Sequence, residues 1–71
     1  MEINKSMKLY RNGIEYTAKY VVEKVTNKTW WAWMAIATEH GTFIDSTNSD
    51  RDEAIMAMYD KMNEKGFHTR P

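Results

Sequence analysis

Trp30-Trp31-Ala32-Trp33-Met34-Ala35-Ile36-Ala37 is the stretch that decides the fold, and it contains all three tryptophans of the 71-residue chain. Successive side chains of a strand point to opposite faces. Read as a strand, the stretch is apolar on both faces, with Trp30, Ala32, Met34 and Ile36 on one and Trp31, Trp33, Ala35 and Ala37 on the other. A domain of this size has one core, so we expect one apolar face to stay open to a partner.

Turn signals place further strands around this stretch. Asn12-Gly13 favours the positive φ values of a tight hairpin turn, and Asn27-Lys28 and His40-Gly41 are further turn candidates. After the first turn, apolar and mostly polar residues alternate, which is the pattern of a half-buried strand. The predicted strands are Ile14–Val25, Thr29–Glu39 and Thr42–Ser46, and Lys5–Arg11 can pair back as a first strand.

The hydrophobic period then changes from that of a strand to that of a helix. An apolar stripe with helical spacing is formed by Ile55, Met58, Tyr59 and Met62. Ser49 is the predicted N-cap, and Asp52 completes a capping box. Gly66 suits the left-handed residue after the helix, and Phe67 is expected to fold back on Met62 or Met58 in a Schellman motif.

These elements predict a single α+β domain over residues 1–71. An antiparallel meander of three or four strands carries one C-terminal amphipathic helix on one face, in the order β-β-β-α or β-β-β-β-α. Residues 1–4 and 68–71 are expected to fray.

Strand register decides which tryptophans face the helix. If Asn27-Lys28 is a two-residue loop, Val25 pairs with Trp30 and Val22 with Trp33. Because directly opposed residues share a face, Trp31 and Trp33 then belong to the core. The face away from the helix then holds Trp30, Met34, Ile36 and Phe43. A register shift of one residue would exchange the two sets.

Charge and composition narrow the classes of function. Ten basic and ten acidic residues give a net charge of zero, which argues against a general polyanion binder. The charges are segregated, with a net +3 in residues 1–31 (six basic, three acidic) and −3 in residues 32–71 (four basic, seven acidic). No secretion signal or membrane-spanning apolar run is visible and cysteine is absent, so we expect a cytoplasmic protein.

No motif for catalysis, a metal or a cofactor stands out. The histidines, His40 and His68, have no spacing that forces a catalytic triad with a serine, and there is no phosphate-binding glycine loop. The oxygen-rich segment 45–53 lacks the glycine and terminal glutamate of an EF-hand loop. We therefore expect a protein that is not an enzyme and binds neither metal nor cofactor.

Two resemblances rest on one segment. Thr42-Phe43-Ile44-Asp45-Ser46 followed by Ser49-Asp50-Arg51-Asp52-Glu53-Ala54-Ile55 resembles the last strand and helix start of the β3α DNA-binding domains of phage and transposon integrases. With its Glu53-Ala54 pair it also resembles the HicB antitoxin half-domain. In general character the whole chain, short and cysteine-free, is similar to phage anti-CRISPR and anti-defence inhibitors. The resemblances imply, respectively, DNA binding, an antitoxin role and inhibition of a host complex in the host cytoplasm.

The leading hypothesis is a small binding protein that inhibits or modulates a larger host complex by protein–protein contact. Its predicted anchors are Trp30, Met34, Ile36 and Phe43, with Lys19 and Lys24 as rim contacts. One alternative is a β3α nucleic-acid-binding module that uses Arg11, Lys19, Lys24 and Lys28. Another is a homodimeric, antitoxin-like protein that buries the surplus face between two copies.

Overall fold

Four antiparallel strands lie in chain order in one open sheet in the computed structural model, which describes residues 3–71. The elements are β1 (Ile3–Arg11), β2 (Ile14–Thr26), β3 (Thr29–Ile36), β4 (Thr42–Asn48) and α1 (Arg51–Glu64). The predicted α+β class is confirmed, in its four-stranded form. Of the segment expected to fray at the start, residues 1 and 2 lie outside the described residues, and Ile3 and Asn4 belong to β1.

Two of the three predicted turns have the expected length. Asn12 and Gly13 join β1 to β2 with φ values of 54° and 75°, which is the conformation of a type I′ hairpin turn. Asn27-Lys28 joins β2 to β3, and Thr26 pairs with Thr29 across it. The third connection is longer than predicted, because β3 ends at Ile36 and residues 37–41 form the loop.

A β-bulge at Val25 overturns the predicted faces of β3. The Thr26–Thr29 pair is as expected, but the next paired residue of β2 is Lys24, which lies opposite Trp30. Val25 is the extra residue, and a single extra residue moves the rest of the strand by one position. Trp30, Met34 and Ile36 therefore lie on the helix side of the sheet, and the prediction that they face away from the helix is wrong.

Helix α1 begins one residue later than predicted. Its N-cap is Asp50, whose carboxylate accepts a hydrogen bond from the backbone N–H of Glu53 at 3.1 Å. Ser49 lies in the preceding turn, where the side chain of Asn48 accepts from the backbone N–H of Asp50 at 2.9 Å. That turn fixes Asp50 in the extended conformation that an N-cap needs, so the prediction of Ser49 as the N-cap is wrong.

The predicted Schellman motif ends the helix. Gly66, at φ 88°, donates its backbone N–H to the carbonyl of Asn63, and Phe67 donates to that of Met62. Phe67 is fully buried. His68 then forms two backbone hydrogen bonds with Tyr10, of 2.8 and 2.9 Å, so the last residues remain tied to β1 at this point.

One hydrophobic core lies between the sheet and the helix. Helix α1 packs on β3 and β4. Of its predicted apolar stripe, Met58 and Met62 are buried, and Ile55 and Tyr59 pack against the core. The buried cluster consists of Leu9, Ala18, Val22, Ala32, Met34, Ile36, Ile44, Ala54, Met58, Met62 and Phe67. Phe67 extends it over β1 and β2, where its ring meets that of Tyr16 edge to face at 5.4 Å. The helix thus covers one side of the sheet, and the other side carries no second layer among the described residues.

Candidate protein-binding face

The surface of the sheet that faces away from α1 is called the open face here. Strand pairing and the alternation of side chains define its residues. Its centre is formed by Val21 of β2, Trp31, Trp33 and Ala35 of β3, and Phe43, Asp45 and Thr47 of β4. Polar side chains of β1 and β2 border that centre on one side: Asn4, Ser6, Lys8, Tyr10, Glu15, Thr17, Lys19 and Glu23.

Three rings on the open face form an aromatic cluster, defined as Trp31, Trp33 and Phe43. The ring centroids of Trp31 and Trp33 are 5.8 Å apart, and Phe43 stacks on Trp33 at 5.6 Å with an interplanar angle of 30°. Trp31 and Phe43 are 6.5 Å apart. Each ring is thus within contact range of both others, and such pairs add stability beyond the area that they bury.

The aromatic cluster covers the sheet beneath it while remaining accessible. Val21 is 3% exposed and lies outside the helix-side core, so side chains of the open face must cover it. Its cross-strand neighbour there is Trp33. Trp31 and Trp33 are half-buried, whereas Phe43 is 56% exposed. The cluster is therefore a small second apolar centre, which no other element of the described chain covers.

The two indole N–H groups of the cluster differ in hydrogen bonding. Trp31 donates from Nε1 to Oδ2 of Asp45 on the neighbouring strand at 3.1 Å, which fixes the orientation of its ring. The Nε1 of Trp33 is buried, and none of residues 3–71 places a hydrogen-bond acceptor against it. A buried donor without an acceptor costs about 1–3 kcal/mol. Trp31 is thus oriented by a hydrogen bond within the face, whereas Trp33 is held by packing against Trp31 and Phe43.

Two carboxylates flank the aromatic cluster. Glu23 lies opposite Trp31 on β2, and Asp45 lies opposite Trp33 on β4. The one ion pair within residues 3–71 is Arg51–Asp52 on the helix, so neither Glu23 nor Asp45 has a basic side chain paired with its carboxylate. Lys19 lies on the same face, opposite Ala35, near the other end of the cluster.

The predicted protein-binding residues divide between the two sides of the sheet. Met34 and Ile36 belong to the core, and Trp30 is half-buried against it. Phe43 and Lys19 do lie on the open face. Lys24 lies on the helix side, with its ammonium 5.7 Å from the ring of Trp30.

Sequence reasoning placed Trp31 and Trp33 in the core instead of the open face. Side-chain volume is the signal that could have corrected this. Ala32, Met34 and Ile36 fill the narrow space under a methionine-rich helix more easily than two adjacent indoles would.

The four residues of the nucleic-acid alternative do not form one surface. Arg11 is the last residue of β1 and lies on the helix side, opposite the first residue of β2. Its guanidinium is 4.2 Å from the Phe67 ring centroid. Lys24 and Lys28 lie at the other end of β2, on the helix side and in the β2–β3 turn. Lys19 alone shares the open face with the aromatic cluster.

Other parts of the described surface offer fewer side chains suited to catalysis or metal binding. A depression of about 630 Å³ near the β3–β4 loop brings His40 and Glu39 beside Arg11 and Tyr16, and neither serine nor cysteine is among its lining residues. Within residues 3–71 there is no group of three or more histidine or acidic side chains that could hold a metal ion.

No α-helix within residues 3–71 has the length and apolarity needed to cross a membrane. No family model, curated protein or solved structure matches the chain.

Proposed function

We propose that this protein is a binding domain that docks on a partner protein through the open face. By occupying a surface of a larger host complex in the cytoplasm, it inhibits or modulates that complex. The observation that carries the proposal is the aromatic cluster, three mutually packed rings on a sheet face that residues 3–71 leave uncovered. The general character that the chain shares with phage anti-CRISPR and anti-defence proteins supports an inhibitory role.

Aromatic side chains are suited to anchor such an interface. Trp is among the residues that dominate binding energy when they are buried at the centre of a contact, and Phe supplies further apolar area. The rings of the cluster already restrain one another on a rigid sheet, so binding orders few additional side-chain torsions. Trp31 is further restrained by its hydrogen bond to Asp45.

The carboxylates beside the cluster favour a protein over a nucleic acid. Exposed aromatic rings on a sheet can stack on bases, but nucleic-acid-binding faces pair such rings with basic side chains that meet phosphates. Glu23 and Asp45 flank the rings here, and Lys19 is the nearest basic residue of this face. Phosphates approaching Trp31 would be repelled.

The test compares two variants as bait in a lysate of the cells that encode the chain. The partner captured by the unchanged protein is identified, purified and titrated against each variant. Trp31→Ala combined with Phe43→Ala should raise the dissociation constant for the partner at least about tenfold. Truncation of a hot-spot side chain costs about 2 kcal/mol of binding free energy or more. Met56→Ala is the control, since Met56 is 64% exposed on α1, away from the open face.

Circular dichroism establishes that both variants are folded before the titration. If the double variant binds the purified partner as tightly as the unchanged protein does, the open face is not the binding surface. If Met56→Ala weakens binding instead, the interface lies on the helix.

A further inference from the structure

We infer that the open face receives an arginine side chain of the partner, laid on the ring of Trp31 between the carboxylates of Glu23 and Asp45. The inference rests on the proposed function and specifies the chemistry of the partner. It follows from the charge complementarity between an acidic, aromatic site and a planar cation.

Each strand beside Trp31 carries an acidic residue next to it on the open face. Glu23 is its direct cross-strand neighbour on β2, and Asp45 accepts its indole N–H from β4 at 3.1 Å. Tryptophan is the aromatic side chain that attracts cations most strongly, and the attraction grows when water is excluded. A guanidinium on this ring would have carboxylate acceptors on either side within the same face.

The carboxylates are available for such a ligand. Neither has an ion-pair partner within the described residues. The ammonium of Lys61 does approach Asp45, but it binds the backbone carbonyl at 2.7 Å. Asp45 thus keeps one carboxylate oxygen, Oδ1, beyond the one that Trp31 occupies. Among residues 3–71, Lys19, four residues from Glu23 on β2, is the basic residue of this face nearest to the cluster.

Arginine fits this site better than lysine does. Its planar guanidinium stacks on an aromatic ring and still directs N–H groups outward to carboxylates, whereas an ammonium is compact and strongly hydrated. The chain itself contains such a contact on its other side, where the guanidinium of Arg11 lies 4.2 Å from the ring centroid of Phe67 and 5.5 Å from that of Tyr16.

The experiment uses the full chain and a short synthetic peptide in which arginine alternates with serine. The three tryptophans give three indole N–H signals in a two-dimensional NMR spectrum, and these are assigned with single Trp→Phe variants. The arginine peptide should shift the signals of Trp31 and Trp33, while that of Trp30, on the helix side, stays in place. A matched peptide with lysine in place of arginine should bind more weakly.

Two double variants, each of which removes two negative charges, complete the experiment. Glu23→Gln with Asp45→Asn should lower the affinity for the arginine peptide roughly threefold to tenfold, as expected for two partly exposed charge pairs. Asn at position 45 still offers an oxygen to the indole N–H of Trp31. Glu39→Gln with Asp60→Asn changes the net charge equally, away from the open face, and should leave the affinity within about twofold.

Several results would overturn the inference. They are an arginine peptide that leaves the Trp31 and Trp33 signals unmoved, equal affinity before and after neutralisation of Glu23 and Asp45, and equal binding of the lysine peptide. Shifts produced instead by a glutamate–serine peptide or an oligonucleotide would also overturn it. So would concentration-dependent shifts of the protein alone, which would show a second copy on this face.

Failure of the inference and failure of the proposed function are distinguishable. If the arginine peptide fails but Trp31→Ala with Phe43→Ala still abolishes binding of the purified partner, the open face is a protein-binding surface for a ligand without arginine. If the double variant keeps full affinity for the partner, the proposed function itself fails.

Discussion

Val25 determines which tryptophans meet the helix. As the bulged residue of β2, it turns Trp31 and Trp33 outward and places Trp30, Met34 and Ile36 on the helix side. The bulge gives up one position of the strand pairing, and Val25 itself remains 47% exposed. In return Ala32, Met34 and Ile36 become buried against α1.

Substitutions of Met34 and Phe43 should differ sharply in their effect on stability. Met34 is fully buried in the core, so Met34→Ala should lower the free energy of unfolding by about 2–5 kcal/mol. Phe43 is 56% exposed, and Phe43→Ala should cost under about 1 kcal/mol. Urea denaturation measures both. Equal losses, or a larger loss for Phe43→Ala, would contradict the assignment of the two sides of the sheet.

Tyr59 should make stability depend on alkaline pH. Burial raises the pKa of its hydroxyl above the ordinary 10.0, and the nearby Tyr20 raises it further. The folded state therefore holds this proton more tightly than the unfolded state does. The contribution of the protonated hydroxyl to the free energy of unfolding is complete below pH 10 and is lost as the pH rises through the folded pKa. Tyr59→Phe should show a shallower loss of stability between about pH 9 and about pH 11. Parallel curves for the two proteins would refute this.

At the scale of elements, the N-cap of α1 gives the neighbouring residues Ser49 and Asp50 different roles in stability. Asp50 accepts the backbone N–H of Glu53, so Asp50→Ala should lower the free energy of unfolding by about 1 kcal/mol. Ser49 makes no such contact within the helix start, and Ser49→Ala should change stability by less than about 0.5 kcal/mol. Thermal denaturation of both variants decides the matter, and the reverse order would restore Ser49 as the cap.

Elements whose chemistry is local could be predicted from the sequence. The Asn12-Gly13 turn, the apolar stripe of α1 and the Schellman motif at Gly66 and Phe67 each depend on a few adjacent residues, and all three are present. The bulge at Val25 has no comparable local signal. It depends on which residues of β3 fit beneath a helix that follows more than a dozen residues later.

At the scale of the whole molecule, one helix and one sheet leave one face of the sheet without a covering layer among residues 3–71. Because both faces of the tryptophan stretch are apolar, the sequence predicts an open apolar face in either strand register. Of the predicted anchors, Phe43 lies on that face, and Trp31 and Trp33 take the place of Trp30, Met34 and Ile36. The aromatic cluster with its flanking carboxylates is what the molecule offers to a partner.

The identity of the open face underlies both the proposed function and the arginine site, and solvent paramagnetic relaxation tests it most directly. A soluble paramagnetic chelate broadens NMR signals in proportion to their exposure. Ring signals of the exposed Phe43 should broaden strongly and those of the half-buried Trp31 and Trp33 to an intermediate degree, while the methyl signal of Met34 stays sharp. Broadening of Met34 with protection of Trp31 and Trp33 would mean that β2 has no bulge. It would contradict the assignment of Trp31 and Trp33 to the open face.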